Sequence, residues 1–302
     1  MIPFYKFTIG NKEIRAVTKV LKSGWIAPGK EVKAFEKEFS EFIGIKYAIF
    51  TNSGTSALKM AFKWFKEQGY SEFIAPVNTF CATRAAGIEM GFKERNSKNT
   101  LKVNVHYGGV KELSDCDIED SAHRIEPNDP LIGKIRIYSF YATKNITTGS
   151  GGMLVTNDKK IYERCRLFWR DGLTISALDR KFGNVFYQVK VMSGGYDGND
   201  IQASIGRVQL KRLLKFNKRR NAIVEKYNKA FGANWKGNHL YPYKLKTKKE
   251  VKEFIKIMKE KGISCGFHYP GNIWTSVSLP LYPSLTNKEI NYIIICIKSS
   301  KF

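Results

Sequence analysis

The sequence predicts an α/β fold, a larger layered domain followed by a smaller one, and three observations carry that expectation. Short apolar runs at residues 47–51, 73–75, 101–105 and 135–140 have strand length and are interleaved with stretches of helical periodicity. Glycine and hydroxyl residues cluster just after several of these runs, where a strand would hand over to a helix. From about Lys211 the pattern changes to a basic helical connection and then to a second, shorter α/β stretch. Successive βα units place their loops at the carboxyl ends of the strands, so residues distant in sequence meet in one crevice.

Composition narrows the class. Hydrophobic residues at 43% and charged residues at 26% over 302 positions describe a globular chain able to bury a full core. The opening Met1-Ile2-Pro3-Phe4-Tyr5-Lys6 lacks the basic-then-apolar pattern of a secretory leader, and no apolar run approaches the roughly 18 residues of a membrane span. A cytoplasmic protein is expected. Cys81, Cys116, Cys165, Cys265 and Cys296 are scattered, with no CxxC spacing, so neither a disulfide frame nor a metal site is indicated. Against 27 acidic residues stand 51 basic ones, a net charge of +24 that favours anionic substrates or partners. The lysines run along the whole chain, which reads as solvated surface ahead of a nucleic-acid interface.

Taken in order, Gly10-Asn11-Lys12-Glu13 opens a helix with Ile14, Val17, Val20 and Leu21 on one stripe and Gly24 to end it. A second helix follows Pro28-Gly29, with Val32, Phe35, Phe39 and Phe42 on one face and Gly44 after it; Trp25, between the two, reads as a packing residue. The strand at 47–51 passes through Asn52-Ser53-Gly54-Thr55 into a helix carrying Leu58, Met60, Ala61, Phe62 and Phe65. A strand, a tight glycine turn and a helix start form an anion site, because free backbone N–H groups and the positive end of the helix dipole converge there. After the strand at 73–75 comes Val77-Asn78-Thr79-Phe80-Cys81-Ala82-Thr83, in which Phe80 alone would read as core. The strand at 101–105 ends in His106-Tyr107-Gly108, and Cys116-Asp117-Ile118-Glu119-Asp120 runs into Ser121-Ala122-His123. A carboxylate at the end of a buried strand is costly without a partner, which marks Asp120. His123 by itself reads as a structural hydrogen-bonding histidine.

The stretch that organises the chain is Ser139-Phe140-Tyr141-Ala142-Thr143-Lys144-Asn145-Ile146-Thr147-Thr148-Gly149-Ser150-Gly151-Gly152. One lysine stands among hydroxyls with no adjacent acid to pair with. Burial lowers a lysine pKa toward neutrality, and a neutral amine attacks a carbonyl, so Lys144 has the surroundings a Schiff-base lysine needs. The plain alternative is a surface lysine in a Gly/Thr turn.

These motifs together resemble the DegT/DnrJ/EryC1/StrS family over nearly the whole chain, from Gly10 to Ile297. The resemblance implies the fold of pyridoxal-phosphate-dependent transferases of fold type I: a large αβα domain with a mostly parallel sheet, residues 1–210, plus a small C-terminal α/β domain, residues 211–302. It implies pyridoxal phosphate as cofactor, with Lys144 forming the aldimine and moving protons, Asp120 facing the pyridinium nitrogen, and His123 orienting ring or substrate. It also implies Phe80 against the ring, and Gly54, Thr55 and Ser139 on the phosphate. Gly194 to Leu210 is similar to the family segment whose loop reaches the neighbouring subunit's phosphate; the family's asparagine is Asp197 here, so that contact is assigned to Asn199 nearby. The implied activity is ping-pong transfer of an amino group from an amino acid, glutamate in most relatives, to a nucleotide-linked keto-sugar, by a homodimer. Family members that dehydrate sugars carry histidine in place of the lysine, and Lys144 therefore argues for transamination. Segments at 91–101, 124–135 and 184–199 are shorter than in relatives, which leaves open a silent binding or regulatory protein of the same fold. A basic nucleic-acid-binding protein is the third reading.

Overall fold

The computed structural model describes residues 1–97, 99–181, 183, 185–269 and 275–300. Two helices come first, α1 (Asn11–Lys22) and α2 (Lys30–Ile43). Gly29 has no side chain with which to cap α2, and Asp200 supplies the acceptor instead, its Oδ1 lying 2.8 Å from the Gly29 N–H and 3.0 Å from that of Val32. The helix ends on Gly44 at φ 72°, a conformation that glycine adopts without strain. As the spacing predicts, α2 buries Val32, Phe35 and Phe39, but Phe42 is only half-buried and Ile43 is buried beside it. In α1 the expectation fails: Ile14 and Leu21 are 56% and 55% exposed, while Val20 and Glu13 are buried. The reason is electrostatic, because Gln209, at 2.7 Å, and Arg212 hold the Glu13 carboxylate and turn that edge of α1 inward.

β1 (Tyr47–Thr51) leads into α3 (Gly54–Glu67), and β2 (Glu72–Ile74) into α4 (Cys81–Glu89). Then come β3 (Lys93–Glu94), β4 (Thr100–Val105), β5 (Ile118–Asp120), β6 (Ile135–Ser139), β7 (Gly152–Thr156) and α5 (Lys159–Trp169). These seven strands make one sheet in the order β1-β7-β6-β5-β4-β2-β3. Every neighbouring pair is parallel except those of β7, which runs against β1 and β6. The C-terminal ends of β1, β4, β5 and β6 therefore share one edge with the start of β7. Register makes this concrete: Thr51 and Ser139 both stand opposite Gly152, and Asp120 stands opposite Val105 and Ile137.

Alternation along the strands gives the sheet two buried faces. On one, Tyr138 and Phe140 meet α2, where Phe39 lies edge-on to Tyr138 at 4.9 Å and Phe35 to Phe50 at 5.1 Å. Ile137 points to the other, against which α3 packs, with α4 and α5 beside it. The same alternation parts Glu119 from Asp120. Glu119 lies opposite Arg136 in the register, and neither side chain is exposed. Arg136 donates to its Oε2 from Nε at 2.9 Å and Nη2 at 2.6 Å, and His106 Nε2 lies 3.0 Å from the same oxygen. Burial would raise this carboxyl, but the His106 bond and the guanidinium outweigh it and hold its pKa down at about 2.

After the short α6 (Ala177–Lys181), α7 (Asp200–Phe231) runs 32 residues without a break, through the position where the sequence suggests a domain boundary. Ala203, Leu210, Leu213 and Phe216 join the core around the sheet. Ile223, Val224 and Tyr227 join a second core with β8 (Tyr241–Lys244), α8 (Lys248–Glu260), β9 (Ser276–Leu279) and α9 (Asn287–Ser299). β8 and β9 pair antiparallel. Thr247 and Thr286 cap α8 and α9, accepting the N–H of Glu250 at 3.1 Å and of Glu289 at 3.2 Å. The sequence of residues 263–270 reads as strand-like, but no strand forms over the described part, 263–269: Ile263 and Gly266 make single bridges to Ile2 and Ser278, so no continuous ladder builds. Pro270 of that stretch, with Lys98 and Asn184 of the shortened segments, lies outside the described residues. Among the described residues no helix is long and apolar enough to cross a membrane.

Candidate active site

The shared strand edge opens into a cavity of about 510 Å³ lined by Gly54, Thr55, Phe80, Asp120, His123, Ser139 and Lys144. Seven of the eight residues singled out from sequence thus meet in one place. Each arrives by a different element. Ser53 caps α3, accepting the Ser56 N–H at 3.1 Å, and Gly54 and Thr55 stand in the first turn, whose N–H groups have no intrahelical partner, at the cavity wall. That turn lies very close to the sheet. A Cβ on Gly152 would come within 2.5 Å of the Ser53 carbonyl oxygen, and one on Gly54 would lie 3.0 Å from Ser139 Cβ. Glycine at these two positions is what brings the α3 turn beside Ser139.

Asp120, at the end of β5, is nearly buried and fully engaged. Thr83 Oγ1 donates to its Oδ2 at 2.8 Å, and the Ala122 N–H to its Oδ1 at 3.0 Å. Thr79 lies 2.8 Å from the Thr83 hydroxyl, and since Thr83 spends its hydrogen on Asp120, Thr79 is the donor in that pair. The carboxylate is held in place yet opens onto the cavity. Phe80, half exposed, forms part of the wall, 5.6 Å from the Tyr269 ring.

Lys144 follows β6 in a tight turn, its N–H bonded to the Tyr141 carbonyl oxygen at 2.9 Å. No hydrogen bond or ion pair with the described residues occupies its amine. Desolvation by the packed walls lowers its pKa to about 8, with the Asp120 charge pulling weakly the other way. Near neutral pH a useful fraction of the amine is therefore unprotonated and nucleophilic.

His123 adds a layer that sequence reasoning saw only in outline. Its ring stacks on His239 with centroids 4.3 Å apart, and Tyr269 lies parallel on it at 6.0 Å. Burial, then the nearby Lys144 charge, holds His123 and His239 well below 6.5, and the same causes bring His268 down to about 4. The chain has four histidines, and three of them line this cavity as neutral imidazoles. His239, His268, Tyr269, Thr79 and Thr83 are the functional candidates that sequence reasoning passed over. For Thr79 and Thr83 a signal existed, two hydroxyls four apart just after a strand; for His239 there was only the rarity of histidine.

Asn199 stands apart from these residues. It caps α7, its Oδ1 accepting the Gln202 N–H at 3.0 Å, and it does not line the cavity. Gln202, its capping partner, donates to the carbonyl oxygen of Ser150 in the cavity wall at 2.9 Å. Asp197 bridges Thr51, and burial raises its pKa above the usual aspartate value.

An amine with no partner among the described residues, a fixed carboxylate and an anion-type helix start stand in one crevice, the equipment that carbonyl chemistry through a lysine requires. Residues 8–94 and 118–277 match the DegT/DnrJ/EryC1/StrS aminotransferase family, and the chain belongs to it: it is a pyridoxal-phosphate-dependent aminotransferase. It is 30% identical to the spore coat polysaccharide biosynthesis protein SpsC of Bacillus subtilis, covering 98% of this chain and 96% of that one. That alignment spans 380 positions against 302 residues here, in keeping with the shortened segments. Its fold is similar to that of Helicobacter pylori PseC, an aminotransferase involved in the biosynthesis of pseudoaminic acid (TM-score 0.88, 24% identity, 99% and 98% of the two chains). It is similar also to that of the sugar aminotransferase CalS13 from Micromonospora echinospora (TM-score 0.86, 23% identity, 99% and 100%). The fold is thus that of the pyridoxal-phosphate-dependent sugar aminotransferases, α/β with a mostly parallel sheet.

Proposed function

We propose that this enzyme moves an amino group from an amino acid, glutamate first among candidates, to the carbonyl of a nucleotide-linked keto-sugar in two ping-pong half-reactions. The observation that carries this reading is the Lys144 amine, without a carboxylate partner among the described residues and with its pKa lowered to about 8 by burial, in the same cavity as Asp120. The residues present fit pyridoxal phosphate. Gly54 and Thr55 at the start of α3, with the Ser139 hydroxyl, would take its phosphate, in a cradle that a Cβ on Gly152 would fill. Asp120 would face the ring nitrogen, Phe80 a ring face, and Lys144 the carbonyl carbon. When bound, the cofactor supplies an electrophilic carbon for amines and a protonated ring that withdraws electrons.

The protein's own part is positional and acid–base. Asp120, anchored by Thr83 and Ala122, keeps its charge where the ring nitrogen needs it. Lys144 Nζ takes the proton from the donor's α-carbon and returns one later, a task suited to an amine whose pKa lies near working pH. The three neutral histidines leave Lys144 free of cationic competitors for that role. We further place Asn199 at the phosphate of a neighbouring subunit, read residues 1–210 and 211–302 as the large and small domains, and take the enzyme to be a cytoplasmic homodimer.

The test is a half-reaction. Glutamate added to the pyridoxal-phosphate-loaded enzyme is expected to bleach the visible absorption band and release one equivalent of 2-oxoglutarate, and a keto-sugar nucleotide to restore the band. Failure of every amino acid tried to yield its keto acid would remove the transamination reading.

A further inference from the structure

Lys144 also borders a second, small cavity of about 20 Å³, whose lining includes Lys6, Asn145 and Arg220 of α7. Arg220 is buried, and no carboxylate among the described residues pairs with it. Its Nη2 donates to the carbonyl oxygen of Asn145 at 3.0 Å, and its Nη1 to Asn217 Oδ1 at 3.4 Å. Burial pushes its pKa down to about 10, so it keeps its charge at neutral pH. A cation taken out of water without an acid beside it is costly to keep. What this one holds is the backbone one residue beyond Lys144.

The contact belongs to a closed ring. Asn145 Nδ2 donates to Asn238 Oδ1 at 3.4 Å, Asn238 Nδ2 to Glu126 Oε1 at 3.0 Å, and Asn217 Nδ2 to that same oxygen at 3.3 Å, which returns the ring to Arg220. It therefore ties the Lys144 turn to α7 and to Asn238, whose neighbour His239 stands in the main cavity. On its upstream side the turn is fixed by the Lys144 N–H on the Tyr141 carbonyl oxygen. On its downstream side the fixed point is Arg220. A planar guanidinium serves both of its acceptors at once, which the point charge of an ammonium group does not.

We propose that Arg220 is a positioning residue for Lys144: by pinning the Asn145 carbonyl and closing the amide ring, it keeps the lysine amine among the packed walls of the main cavity. The inference rests on the reading of Lys144 as the reactive lysine, and its test uses the protein without cofactor, so that each can fail alone. The charged and titratable groups around Lys144 are Asp120 of β5, the neutral His123, His239 and His268, Tyr269, and, at the second cavity, Lys6 and Arg220. Desolvation outweighs the Asp120 charge in setting the amine's proton affinity. An amine released from those walls regains water and binds its proton more tightly.

The experiment is limited acetylation of the cofactor-free protein with acetic anhydride over a pH series. Peptide mass spectrometry reads the labelling of Lys144 against the exposed Lys12 in wild type, Arg220→Met and Arg220→Lys. Wild-type Lys144 is expected to titrate near 8. Arg220→Met, which removes both the charge and the pin, is expected to raise that midpoint by about one unit, a tenfold smaller neutral fraction at pH 7. Arg220→Lys keeps the charge and loses the fork, so a smaller rise there reports position alone. An unchanged midpoint in Arg220→Lys overturns the proposal, whether or not Arg220→Met shifts or folds, and circular dichroism checks the fold of both. A wild-type Lys144 that titrates together with Lys12 overturns the reading of Lys144 itself.

Discussion

At Glu119 and Arg136 a buried pair shows what single residues contribute apart from the cavity. Three donors converge on one carboxylate side, with the Ile132 and Gly133 N–H groups on the other oxygen at 2.8 and 3.1 Å. Arg136→Met leaves that carboxylate buried without its main partner, at an expected cost of about 3–5 kcal/mol in denaturant unfolding at neutral pH. The pH dependence has a definite sign. Glu119 is depressed from the usual 4.5 to about 2, so its stabilisation is complete above about pH 4.5 and is lost as pH falls toward 2. Wild type should lose stability across that window more steeply than Arg136→Met, and equal slopes would contradict the assignment. At this scale legibility followed sequence locality. Lys144 and Asp120 were readable because each sits in its own short motif, at a strand end. Tyr269 and His123 are 146 positions apart, and no local pattern could announce their contact.

The α3 turn is where an element depends on a single missing methyl group. Gly152→Ala would drive a Cβ to 2.5 Å from the Ser53 carbonyl oxygen and 2.6 Å from the Gly54 nitrogen, so the turn must move. Overpacking of this kind costs roughly 1–3 kcal/mol. The expected outcome is at least a tenfold weaker pyridoxal phosphate affinity, measured by fluorescence titration, with a smaller relative loss of thermal stability. Unchanged affinity would show that the turn does not hold the phosphate. Elements with a strong period or a clear turn were visible beforehand, β1 and α2 among them. The rest failed for physical reasons. β3 has two residues, too few to show alternation, and the apolar run at 263–269 satisfies its backbone by isolated bridges instead of a ladder. In α1 the apolar stripe is split, Ile14 and Leu21 facing outward while Val20 is buried.

Across the molecule, Ile14 and Leu21 of α1, and elsewhere Phe186 at 88% and Met192 at 84%, leave large apolar side chains in solvent. Where such side chains gather they mark association sites. The homodimer reading predicts a light-scattering mass of twice 34.5 kDa, shifting toward the monomer in Phe186→Ser/Met192→Ser. A wild-type monomer that retains turnover would contradict it. The charge, spread along the sequence at first sight, is uneven in balance: from Lys211 onward lie 20 of the 51 basic residues and only 5 of the 27 acidic ones. This basic C-terminal stretch, which contributes His239 and Tyr269 to the cavity wall, would draw in the anionic, phosphate-bearing substrate proposed above. The central claim remains chemical, that Lys144 is the residue to which the cofactor attaches. Borohydride reduction of the pyridoxal-phosphate-loaded protein, followed by peptide mass spectrometry, tests it most directly. The account predicts one stable adduct, on the peptide bearing Lys144, and none on that peptide in Lys144→Ala. An adduct on another lysine, or scattered over many of them, would contradict it.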